Sequence, residues 1–105
     1  MTGLQLCFYT YYGRTHQSMS LPEWLIQLAK ELQLSGATMM TGQMGVSHQG
    51  PIHTKTWIDD SDEPVQVTFF VTPEQERDLL KRLDQEQLNI FYTRTQLEFG
   101  YTSIN

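Results

Sequence analysis

One cysteine, Cys7, stands in a chain of 105 residues, so no intrachain disulfide can form and no cysteine cluster can hold zinc. Basic residues are scarce too: seven Lys and Arg face twelve Asp and Glu, for a formal net charge of -5. That balance works against loose, phosphate-driven attachment to nucleic acid or anionic lipid. No nucleic-acid partner is expected, and any anionic ligand must be held by a local site. Long hydrophobic runs are missing: no stretch approaches the roughly 18 apolar residues of a spanning helix. Nothing after Met1 resembles a charged region leading into an apolar core and a cleavage site, so a cytoplasmic location is expected. Repeats, linkers and low-complexity tracts are also absent, and one domain over residues 1–105 follows from the length. Apolar residues at 39% and charged residues at 18% give a globular balance.

What is present is ordered by period. Leu4 to Tyr12 alternates, with Leu4, Leu6 and Phe8 on one face and Cys7, Tyr9 and Tyr11 on the other, which predicts a strand covered on both sides. A polar loop is expected next. Ser20-Leu21-Pro22-Glu23 has the form of a capping box, Leu21, Trp24, Leu25, Leu28 and Leu32 follow at helical spacing, and Gly36 is the expected stop. Ala37 to Thr41 predicts a second strand and Ile52 to Ile58 a third arm, around an irregular tip rich in glycine and polar residues. After the acidic turn Asp59 to Pro64, Val65 to Val71 is the most strand-like segment. Thr72-Pro73-Glu74-Gln75 is a second capping box, with the stripe Leu79, Leu80 and Leu83 ending near Gln85, and Leu88 to Phe99 predicts a closing strand.

The order β-α-β-β-α-β specifies an α+β, ferredoxin-like fold with two helices on one face of an antiparallel sheet. The first strand, Phe70 and the last strand leave apolar groups on the uncovered face, and burial against further copies would remove them from water.

Chemistry concentrates between Gly36 and Thr54. Gly42, Gly45 and Gly50 permit positive φ and close approach to a ligand, and successive N–H groups in such turns can cradle an anion. By spacing alone that signal is weak, and a bulged hairpin with flexible glycines is the favoured reading. Lys55 and Arg94 lie on strands and suit a phosphate. Arg77, Lys81 and Arg82 fit a solvated helix face. His16, His48 and His53, with Asp59 or Asp60, allow a metal reading, although their spacing matches no familiar site. Cys7 reads as a small buried hydrophobe, and no nucleophile motif is present, so no catalytic residue is assigned.

Gly36-Ala37-Thr38, then Gly42-Gln43-Met44-Gly45, then Ile52-His53-Thr54, followed by the acidic turn, Pro64 and a Val-rich strand, resembles the PII-like family first catalogued as a domain of unknown function. The resemblance covers most of the chain. It implies a homotrimeric, non-enzymatic regulator that binds a small effector in clefts between subunits. It also implies that the loop between the second and third sheet strands signals to a membrane transporter or an enzyme. Carried over by position, the ligand-binding candidates are Thr38, Gly42, Gln43, Met44, Gly45 and Val46 at the loop base, with His53 and Thr54 on the returning arm. The loop is shorter than in PII proteins and no glycine-rich phosphate turn precedes the last strand. An adenine nucleotide such as AMP, a cyclic nucleotide or bicarbonate remains allowed. Two alternatives share the fold class: a divalent-metal-binding trimer of the CutA kind, and a small α+β enzyme with His53 in a pocket between helices and sheet.

Overall fold

The computed structural model describes residues 1–42, 44–46, 52–54 and 63–103. Its sheet has the strand order β4-β7-β1-β8, formed by Gly36–Thr41, Pro64–Val71, Thr2–Tyr11 and Phe91–Glu98, every neighbouring pair antiparallel. Helices α1 (Leu21–Glu31) and α2 (Pro73–Gln85) cross over one face. The ferredoxin-like order expected from the sequence is therefore the observed one.

Register assigns the faces. Leu4, Leu6 and Phe8 stand opposite Val71, Phe69 and Val67, and all six are buried under the helices. From above, α1 contributes Leu21, Trp24, Leu25 and Leu28, and α2 contributes Leu79 and Leu83. Phe8 meets Phe69 edge-on at 5.5 Å and stacks on Tyr92 at 5.2 Å, tying the two central strands to the β8 edge. Each fully buried side chain of this size contributes roughly 1.5–3 kcal/mol.

Helix starts follow the sequence. Thr72 and Gln75 make a complete capping box, with reciprocal bonds of 3.2 and 2.9 Å. At α1 the Ser20 hydroxyl accepts from the Glu23 amide at 3.4 Å, but the Glu23 carboxylate accepts from the Tyr12 hydroxyl at 2.6 Å, so the box is half formed. The stop of α2 falls at Gln85 as expected, whereas that of α1 differs. Gln33, with φ 54°, ends α1, and Gly36 instead opens β4. The Leu34 amide donates to the Ala29 carbonyl and the Gln33 amide to Lys30, a left-handed cap in which Leu34 packs on the core. The same geometry follows α2, where Gln87 has φ 57° and the Leu88 amide donates to the Leu83 carbonyl. Core contact by the following leucine offsets the strain of a non-glycine residue there.

A second departure is the polar loop after β1. Thr15–His16 (β2) and Met19–Ser20 (β3) form a hairpin, turning through Gln17 and Ser18 with φ of 53° and 65°. Neither turn residue is the glycine or asparagine such a turn favours, which hid the hairpin from sequence reading.

Candidate functional site

Beyond Gly42 the chain leaves the main sheet and forms a separate ribbon, Met44–Val46 (β5) against Ile52–Thr54 (β6). Its register sets Met44 opposite Thr54, Gly45 opposite His53 and Val46 opposite Ile52. Five of the sequence-predicted site residues thus share one short ribbon. Gln43 and Lys55 lie outside the described residues, as do His48, Gly50 and the rest of residues 47–51.

Gly42 does not use the positive φ that its residue type permits. Among the described residues no glycine has a positive φ. The Gly42 amide donates to the Pro64 carbonyl at 2.7 Å, which commits it to the fold rather than to an anion. A Cβ there would meet Pro64 Cγ at 3.4 Å, an ordinary contact.

Thr38 and Arg94 fall far apart. Thr38 pairs with Thr68 and shares the uncovered face with Cys7, whereas Arg94 pairs with Leu6 and shares the helix face. They also occupy opposite edge strands, three strand spacings or roughly 14 Å apart. Arg94 is engaged by Glu76 of α2 through two bonds, Nε to Oε2 at 2.8 Å and Nη2 to Oε1 at 3.0 Å, which hold its guanidinium pKa above the ordinary value. Within one chain, Thr38 and Arg94 stand on opposite faces and opposite edges of the sheet.

The uncovered face carries residues that sequence reasoning did not assign to a site. Across its centre runs a small polar row, Thr38, Thr68, Cys7 and Thr93. Burial pushes the Cys7 thiol up, but hydrogen bonds with Thr68, Gln5, Gln66 and Thr93 outweigh it and leave its pKa below the usual thiol value. At the loop-base end stand Met40, Tyr9, Tyr11 and Phe91, exposed by 63, 41, 41 and 68%. Tyr9 and Phe91 touch at a centroid distance of 5.7 Å. At the other end Phe99 packs edge-on against Phe70 and over Gly3, so the chain covers that end itself. Odd-numbered aromatic residues in β1 were the available signal.

Residues 3–98 match the family model DUF190, described as Uncharacterized ACR, COG1993. The chain belongs to the DUF190 family. A search of curated proteins found no match. Solved structures similar to this DUF190 chain are PII-like, in agreement with the resemblance in its sequence. A protein of Thermus thermophilus described as PII-like signaling shares 15% identity over 92% of this chain and 88% of its own, with a TM-score of 0.66. CPII of Thiomonas intermedia, a nitrogen regulatory PII-like protein bound to ADP, AMP and bicarbonate, shares 12% identity over 98% of both chains, with a TM-score of 0.67. Its apo form gives 14% identity over 92% of both chains, with a TM-score of 0.55. At these identities the likeness is one of fold.

Among the described residues, two cavities under or beside the helices of the DUF190 chain bear on the site. One, of about 210 Å³, is lined by Phe8, Leu80, Leu83, Leu88, Ile90 and Tyr92 with Asp84 and Asn89. The other, of about 220 Å³, lies between α1, the β2–β3 hairpin and Arg82. His16 shares a hydrogen bond with Glu86 at 2.8 Å and meets Trp24 edge-on, and among the described residues no three His, Cys, Asp or Glu side chains converge as metal ligands. No helix of the described residues is long and apolar enough to cross a membrane.

Proposed function

We propose that this DUF190 chain is a PII-like regulatory protein: a homotrimer that binds a small effector, an adenine nucleotide or bicarbonate, between subunits. The segment between β4 and β7 then signals occupancy to a transporter or enzyme. The observation that carries this reading is the split of the candidate residues between the two sheet edges. The loop base leaves β4 and Arg94 lies on β8, so a site using both needs the β4 edge of one copy beside the β8 edge of the next. The exposed Met40, Tyr9, Tyr11 and Phe91 support it, since a second copy seated there would remove them from water. CPII, which shares the fold, is bound to ADP, AMP and bicarbonate, and this supports the effector class.

The test is sedimentation at micromolar concentration followed by calorimetry with AMP, ADP and bicarbonate on the assembled protein. A trimer is expected, with binding abolished by Gly45→Val while assembly survives. His53→Ala should weaken binding by about 1–2 kcal/mol if the imidazole meets the ligand. A stable monomer would overturn the trimer, and full affinity in both variants would move the site off the ribbon.

A further inference from the structure

We propose that the cleft between α1, the β2–β3 hairpin and the end of α2 binds a small zwitterionic amino acid. It shares no residue with the ribbon or with Arg94, so the proposal stands apart from the nucleotide reading. At about 220 Å³ the cleft falls below the roughly 300–1,000 Å³ of sites for drug-sized ligands, which limits its occupant to a small molecule.

The lining sorts by height. Trp24 and Leu28, both buried, form an apolar floor with Met19 beside them. Gln17 and Gln27 stand on the walls, and the ion pair of Arg82 with Glu31 lies at the mouth. Trp24, Gln27, Leu28 and Glu31 recur at i, i+3, i+4 and i+7, so one stripe of α1 supplies both floor and carboxylate.

The ion pair decides the ligand chemistry. Its side chains are 34 and 57% exposed, and a pair so open to water is weak and opens readily. Arg82 stays anchored when it opens, because its Nε donates to Glu86 at 3.2 Å while Nη1 is the atom turned to Glu31. The opened pair presents one cation and one anion side by side. A molecule carrying a carboxylate and an ammonium on one carbon answers both, with its carboxylate on Arg82, its ammonium on Glu31 and its side chain against Trp24, Met19 and Leu28. Phosphate is disfavoured because two carboxylates, Glu31 and Glu86, flank the single guanidinium.

The wall formed by Gln17 is positioned rather than loose. Its side chain donates from Nε2 to Glu86 at 3.0 Å, and the same carboxylate pairs with His16 at 2.8 Å. Glu86 thus fixes both the hairpin wall and the guanidinium.

Trp24 fluorescence tests this, in a Trp57→Phe background that removes the other tryptophan. L-leucine, L-methionine and L-glutamine would be titrated singly, each beside its N-acetyl and carboxamide derivatives. The expected result is a saturable change with at least one free amino acid, and binding about tenfold weaker or worse for both capped forms. Glu31→Gln and Arg82→Gln should each lose a similar factor. Glu31 is exposed, so its variant keeps the fold, as circular dichroism would register. No saturable change at millimolar concentration by fluorescence or amide chemical shifts would overturn the proposal, as would equal binding of the capped forms or full affinity in Glu31→Gln.

Discussion

The same strands build two surfaces of opposite character. On the helix side, Leu4, Leu6, Phe8, Val65, Val67, Phe69 and Val71 form one continuous buried layer. On the other side, residues one position along the chain form a row of Thr38, Thr68, Cys7 and Thr93, with aromatic and Met side chains toward the ends. Large apolar residues at every position of the first layer fill space between sheet and helices. The second layer needs small polar groups in its centre, where hydrogen bonds converge on Cys7. The contrast places the hydrophobic core on the helix side and leaves an exposed, partly aromatic surface on the open side.

The largest effect should come from the helix side. Phe69→Ala is expected to cost about 3–5 kcal/mol of folding stability, while its neighbour Thr68→Ala, facing the open side, should cost about 1 kcal/mol. Urea unfolding of the two variants would break the comparison if the costs proved equal. On the open side, Phe91→Asp should leave the unfolding midpoint of the monomer within about 0.5 kcal/mol yet weaken self-association by about 2 kcal/mol or more. Sedimentation equilibrium unchanged by that substitution would remove Phe91 from any subunit interface.

Gly3 sharpens the difference between the two ends of the open face. A Cβ there would overlap the Val71 carbonyl oxygen and the Phe99 ring, so Gly3→Ala should destabilise by about 1–3 kcal/mol, measured by thermal unfolding. Gly42→Ala, whose new methyl makes only an ordinary contact, should not. The smallest effect belongs to the periphery. Hydrogen bonds from His16 and then Arg82 hold the Glu86 carboxyl below its ordinary pKa. A depressed folded-state pKa means that the unfolded chain binds more protons as the pH falls. The advantage of the parent over Glu86→Gln should therefore be present above about pH 4.3 and be lost progressively below it, as pH-dependent melting would show. An advantage that grew on acidification would contradict the assignment.

Much of this molecule was legible without coordinates. Period-two alternation named the core face of β1 and β7, and both helix starts were written in Ser20 and Thr72. These signals are local: a cap or an amphipathic stripe is set by residues within about four positions, whose geometry the backbone fixes. The end of α2 near Gln85 was legible too, but that of α1 was not, because Gln33 accepts the left-handed conformation only when Leu34 can reach the core. The β2–β3 hairpin escaped as well, its His16 and Gln17 side chains bonding to Glu86 at the end of α2.

The sequence by itself determined the order of elements, the buried stripe and the family resemblance carried by Gly36 to Thr54. Only the tertiary structure decided what those site residues can do together. It committed the Gly42 amide to Pro64, paired Gly45 with His53, and gave Arg94 to Glu76 on the far edge of the sheet. Such partners are not neighbours in the chain, and which strand edge or helix face they meet is set by the packing of whole elements, a choice that no local pattern encodes.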